Sequence, residues 1–144
     1  MNPTTPTQYR PARSWPRHAA QFDTPRLTRR SVLIADDQID SVEALSVLLE
    51  WSGHEVHVAL NGKDAVLAAR QYRPELIFLD IAMPDLNGYE VCRRLRAMQE
   101  FADARIYAIT AFTGEPHQSR RDAAGFTGQL TKPIDVDELE RLLQ

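Results

Sequence analysis

Five residues able to take part in group-transfer chemistry stand where apolar runs of this sequence end. Asp36 and Asp37 follow Val32-Leu33-Ile34-Ala35, and Asp80 follows Leu76-Ile77-Phe78-Leu79. Thr110 lies near the end of RIYAITA, and Lys132 follows the short run 128–131. Three carboxylates held within a few ångströms of one another repel, so such a cluster has raised pKa values or holds a cation. An all-oxygen, sparse set that leaves room for water and phosphate oxygens suits Mg²⁺ better than Ca²⁺. Lys132 would offset part of the remaining charge and pair with an incoming anion, while Thr110 offers a hydroxyl to a phosphoryl oxygen. A carboxylate beside a metal and a lysine is an arrangement for accepting a phosphoryl group as an acyl phosphate.

That chemistry requires the five residues to meet, and the surrounding pattern supplies the means. Runs 32–35 and 76–79 are continuous rather than alternating, which predicts strands covered on both faces. Val42, Leu45, Leu48 and Leu49 repeat at helical spacing and stop at Gly53. Residues 55–60 form a more polar strand, which predicts an edge. Asn61-Gly62 turns into a helix carrying Ala65, Ala69 and Tyr72, ended near Pro74. The strand at 76–79 is the most apolar and is therefore central. Beyond the loop 81–87, Val91, Leu95 and Met98 mark a third helix, residues 105–111 a fourth strand and residues 128–131 a fifth. Val136, Leu139, Leu142 and Leu143 predict a last helix running to residue 144. A helix in 115–124 would be weakly anchored, since Ala123 and Ala124 are its only apolar side chains beyond Pro116. Five strand–helix units predict an α/β fold: a five-stranded parallel sheet with flanking helices, linked by right-handed crossovers. In such sheets chemistry gathers at the carboxyl ends of the strands, where all five residues fall.

The chain of 144 residues is 43% hydrophobic and 26% charged, the composition of a soluble globular domain. No apolar run approaches the ~18–20 residues of a membrane span, and the first residues lack a secretory signal. Cys92 is the single cysteine, which excludes an internal disulfide and suits a reducing, cytoplasmic setting. The net charge of −3 hides two regions. Residues 1–30 hold six arginines and one acid, Asp23, whereas residues 31–144 hold 11 basic and 19 acidic residues. The first region has no hydrophobic period and is predicted to be a disordered Pro/Arg-rich tail. Five prolines in its first 25 residues argue against a transit-peptide helix. The acidic remainder makes direct nucleic-acid binding by that part unexpected.

Over residues 31–144 the sequence resembles the receiver domain of two-component response regulators. The matching strings are IADDQID, LIFLDIAMPDLNGYE, AITA and LTKPI, in family order and at family-like spacing. The resemblance implies a (βα)5 flavodoxin-like receiver fold and phosphorylation of Asp80 by a partner histidine. It implies Mg²⁺ held by Asp37, Asp80 and the backbone carbonyl of Ala82, with Asp36 acting mainly through water. It implies that Thr110 and Lys132 contact the phosphoryl group and that Lys132-Pro133 is a cis peptide. Gln129 departs from the pattern: many members carry Tyr or Phe three residues before the lysine, so a switch through Thr110 and position 129 would here lack the moving ring. The expected role is a single-domain response regulator, phosphorylated by a sensor histidine kinase or a histidine phosphotransfer protein. It would act on a downstream protein or pass the phosphoryl group on. With no output domain expected after Gln144 and no membrane partner, it is expected not to be an enzyme beyond self-catalysed phosphotransfer and autodephosphorylation.

Simpler readings apply elsewhere. Asp85 and Asn87 read as turn and cap residues, His54 and His57 as structural or surface groups, Cys92 as buried packing, and Trp51 and Tyr72 as packing residues. Two rival functions are a receiver-like adaptor that binds regardless of phosphorylation and a Mg²⁺-dependent aspartyl-nucleophile phosphatase. The second places its nucleophile in a DxDx[TV] string after the first strand, whereas here that strand ends in DDQID.

Overall fold

A computed structural model describes residues 29–111, 114 and 116–144. The tail of residues 1–28 lies outside the described residues, as do residues 112, 113 and 115. In chain order the elements are β1 (Ser31–Ala35), α1 (Ile39–Trp51), β2 (Glu55–Ala59), α2 (Gly62–Tyr72) and β3 (Leu76–Asp80). They continue with α3 (Gly88–Arg96), β4 (Arg105–Thr110), α4 (His117–Ala124), β5 (Gly128–Thr131) and α5 (Val136–Leu142). The strands form one parallel sheet in the order β2-β1-β3-β4-β5. This is the flavodoxin-like doubly wound order. All five residues of central β3 are buried, and polar β2 is an edge, as its composition predicts.

Local chemistry sets the helix ends. Gly53 adopts φ 93°, a left-handed conformation that ends α1 at little steric cost. The Asn61 and Asn87 side chains accept the backbone N–H of Asp64 and Glu90, capping α2 and α3. Asp135 caps α5 in the same way through the Asp137 N–H. Asp85 is indeed a turn and cap residue, but the helix that it caps is distant in sequence. Its carboxylate accepts the N–H groups of Gly62 and Lys63 at 2.8 and 2.9 Å, at the start of α2.

Two cores cover the sheet. On one face Leu45 and Leu49 of α1 and Leu139 of α5, with Leu143 just beyond it, meet Val32, Ile34, Phe78 and Ile109. On the other, Ala65, Ala68 and Ala69 of α2 and Val91, Cys92 and Leu95 of α3 meet Leu33, Ile77 and Leu79. Each buried leucine contributes about 1.5–3 kcal/mol through removal of apolar surface from water.

Several expectations change. Strands β2 and β4 end one residue early, and α5 stops at Leu142, leaving Leu143 to pack as its C-cap. A 3₁₀ turn, Gln99–Phe101, puts Phe101 into the core. Trp51 is 47% exposed rather than a core residue, because Leu48 and Leu49 already take the inward side of the last turn of α1. Tyr72 does pack, stacking on His57 with ring centroids 3.7 Å apart. The α4 helix has Ala124 as its only core side chain, but arginines supplement it. Arg121 is buried, and Arg120 lies 4.4 Å from the centre of the Tyr89 ring. Arg96 donates to the carbonyls of Gly125 and Phe101 and to the Thr127 hydroxyl, tying the end of α4 to α3.

Candidate functional site

Each strand that carries a chemical residue stops at the same edge of the sheet. Asp80 is the last residue of β3 and Thr110 the last of β4, while Asp36 and Lys132 directly follow β1 and β5. Parallel pairing in the register Ala35↔Leu79, Asp80↔Ile109 and Thr110↔Thr131 brings the four ends side by side. The start of α3 closes the approach from below. A Cβ on Gly88 would lie 2.6 Å from the Asp80 carbonyl oxygen, so only glycine lets this helix sit against the end of β3.

One oxygen from each of Asp36, Asp37 and Asp80 lies within 4.8 Å of the others. Asp36 and Asp80 are buried, and Asp37 is exposed. Lys132 Nζ reaches Asp36 Oδ2 at 3.4 Å and Asp80 Oδ2 at 3.6 Å. Asp36 Oδ1 accepts the Gln38 N–H at 2.9 Å, and Asp80 Oδ1 accepts the Ala82 N–H at 3.2 Å. A cavity of about 160 Å³ opens here, lined by Asp37, Gln38, Asp80, Ala82, Thr110 and Lys132, among others. Burial, followed by the charge of Asp36, pushes the Asp80 carboxyl up to about 6, despite the opposing pull of Lys132. One ammonium does not balance three carboxylates. This hard, all-oxygen donor set with an uncompensated negative charge fits a small divalent cation, and Mg²⁺ in particular.

All the residues predicted for the site line or border this cavity except Gln129. Residue 129 alternates with Leu130, which joins the α1–α5 core, so its side chain falls on the opposite face. Its Oε1 is buried with no hydrogen-bond partner among the described residues. Gln38 was not singled out from the sequence, although it stands within the DDQID string. Lys132-Pro133 is cis. The bland readings of three other groups agree with their surroundings. His54 is buried and accepts the Arg30 N–H through Nδ1. His57 lies in the stack with Tyr72, and burial holds both histidines below the usual imidazole range. Cys92 is buried, which pushes its thiol up to about 11.

A parallel five-stranded sheet with an acid cluster, a threonine and a lysine at its carboxyl edge defines a class of signalling domain. The chain matches the response regulator receiver domain over residues 32–144 and belongs to that family. It is 35% identical to protein PilH of Pseudomonas aeruginosa over 108 residues, 75% of this chain and 89% of that protein. Among solved structures it is similar to chemotaxis protein CheY4 of Vibrio cholerae. The TM-score is 0.77 at 30% identity, over 81% of this chain and 98% of that one. It is also similar to the receiver domain of sensor histidine kinase PA1611 from Pseudomonas aeruginosa, solved with a magnesium ion coordinated in the active-site cleft. That match has a TM-score of 0.75 at 28% identity and covers 81% of this chain and 96% of that one. Receiver domains are in general regulators rather than classical enzymes. Among the described residues no helix is long and apolar enough to cross a membrane.

Proposed function

We propose that the protein is a single-domain response regulator whose Asp80 accepts a phosphoryl group from a phosphohistidine. The donor would be a sensor histidine kinase or a histidine phosphotransfer protein. The observation that carries this reading is Asp80 at the end of the central strand, with Lys132 Nζ 3.6 Å away and Thr110 in the same cavity. Asp37, Asp80 and the Ala82 carbonyl would hold Mg²⁺, with Asp36 acting mainly through water. When bound, the ion neutralises charge on the transferring phosphoryl oxygens. A carboxylate oxygen of Asp80 attacks phosphorus, the phosphorus–nitrogen bond breaks, and the departing imidazole takes a proton. Lys132 then transfers its pairing from the carboxylates to the phosphoryl oxygens, and Thr110 donates its hydroxyl to one of them. Output follows by binding a downstream protein or by onward transfer of the phosphoryl group.

Moving Thr110 toward Asp80 displaces the following loop, and in members with an aromatic at position 129 a ring fills the vacated space. Gln129 gains little from entering a half-apolar slot. We propose that the change is carried instead as a shift in order through residues 111–125. Incubation with Mg²⁺ and acetyl phosphate should add the mass of one phosphoryl group. Asp80→Asn should abolish that gain while leaving the fold intact, and unchanged uptake by this variant would refute the assignment. Lys132→Ala should still bind Mg²⁺ but lose much of the phosphorylation response, read by partner binding or intrinsic fluorescence.

A further inference from the structure

Ala82 belongs to the loop between β3 and α3 and lines the Asp80 cavity, yet it is exposed, so packing does not fix it. Backbone bonds hold the two ends of this loop. The Ile81 N–H donates to the Ile109 carbonyl at 3.2 Å, and the Ile81 carbonyl accepts the N–H groups of Met83 and Gly88 at 3.2 and 3.0 Å. Met83 is buried, and Leu86 packs against the core that α2 and α3 share. Between these two points the chain bulges outward through Pro84 and Asp85, both exposed. There the Asp85 carboxylate reaches across to α2, where its two oxygens accept the N–H groups of Gly62 and Lys63 at 2.8 and 2.9 Å.

The first N–H groups of a helix need partners from outside its own ladder. In α2 the Asn61 side chain takes the Asp64 N–H, and the Asn61 carbonyl takes that of Ala65. The Gly62 and Lys63 donors are left to a residue 23 and 22 positions away. Burial raises the Asp85 carboxyl, but the N–H groups of Lys63, Gly62, Leu86 and Asp85 itself together hold it below the usual carboxylate range. It is thus a charged acceptor at neutral pH, and bonds of this kind are stronger than neutral ones. Gly62 lets the loop come so close, since a Cβ there would lie 2.2 Å from the Leu86 carbonyl oxygen. The helix is a firm anchor, because Ala65, Ala68 and Ala69 are buried against the sheet.

We infer that Asp85 is a positioning residue for the metal site: by clasping the first turn of α2 it holds the β3–α3 loop in the conformation that keeps Ala82 at the Asp80 cavity. The inference rests on the reading of Asp37, Asp80 and the Ala82 carbonyl as the groups that hold Mg²⁺. Asp85 does not line that cavity, so it acts through the backbone of the loop. Without the clasp, residues 82–86 would sample further conformers. Only the fraction that keeps the Ala82 carbonyl at the site would bind the ion, and apparent affinity falls by that fraction.

The test is a Mg²⁺ titration of the full, unphosphorylated chain, followed by the amide signals of residues 36–38 and 80–83. Asp85→Ala should raise the Mg²⁺ dissociation constant about tenfold, the lower end for groups that orient a metal ligand from outside. Asp85→Asn, which keeps one acceptor oxygen, should fall between this variant and the parent. Asn61→Ala removes the other cap of α2 without touching the loop. It should lower the melting temperature as much as Asp85→Ala does, yet leave the dissociation constant within about twofold of the parent. At saturating Mg²⁺ the phosphoryl mass gain from acetyl phosphate should be equal in Asp85→Ala and the parent, because Asp85 touches none of the reacting atoms. Equal Mg²⁺ affinity in Asp85→Ala and the parent, an equal loss in Asn61→Ala, or a mass gain still depressed at saturating Mg²⁺ would overturn the inference. A parent that showed these affinity differences without taking up phosphate would contradict the reading of Asp80 and leave the role of Asp85 standing. One that bound no Mg²⁺ would overturn both.

Discussion

The two faces of the sheet achieve stability by different means. The α1–α5 face is filled by large side chains, with Phe78 stacked on Tyr107 at 5.6 Å and leucines from both helices around them. On the opposite face α2 contributes mainly Ala65, Ala68 and Ala69, so that helix lies close to the strands, and farther along arginines hold α4 and its exit loop. The first face is vulnerable to the loss of volume, and the second to its addition. Their helices also differ in charge: α1 and α5 are net acidic and α2 and α3 net basic, whereas in α4 Arg121 is buried and Arg120 is balanced by Asp122.

The largest effect should follow from Phe78→Ala, which leaves a cavity beneath both α1 and α5. It should cost about 3–5 kcal/mol by urea denaturation. Next comes Ala68→Leu, an overpacking change at a position 1% exposed, with an expected cost of about 1–3 kcal/mol. If Ala68→Leu proved neutral, the α2 face would have slack and the contrast between the faces would fail.

A smaller change, of opposite sign, is expected at the seam. The Asp80 carboxyl ionises at about 6 when folded, against 3.8 as an ordinary aspartate. The folded state thus holds its proton more tightly, and metal-free stability should fall as pH rises from about 4 to 6. Asp80→Asn should flatten that slope and raise metal-free stability at pH 7 by about 1 kcal/mol, with screening by solvent included. Mg²⁺ titration should stabilise the parent more than the variant. The smallest effect should come from Arg120→Ala, which loses an exposed contact with the Tyr89 ring worth about 0.5–1 kcal/mol. Amide exchange should then accelerate in α4 and leave α1 and α5 unchanged.

The parallel five-stranded sheet, the edge position of β2 and the central position of β3 were legible because each follows from a local run of side chains and from the rule for right-handed crossovers, whereas the full strand order came from the structure. The site was legible for the same reason. In a parallel sheet the last residue of every strand falls on one edge, so Asp36, Asp37, Asp80, Thr110 and Lys132 announce a common location without any knowledge of distances. Trp51 was misread because a helical stripe identifies the buried side chains only to within one position at its last turn.

What the chain alone determined is thus the set of elements and the residues at their ends, since both depend on neighbours within a few positions. Only the tertiary structure decided the interactions that join distant stretches. Asp85 reaches the N-terminus of α2, Arg96 reaches the loop after α4, and Arg30 binds the end of α5. Nor does any single segment reveal that acidic helices share one face and basic helices the other. That segregation depends on which side of the sheet each crossover returns along, and it becomes visible only once α5 packs beside α1.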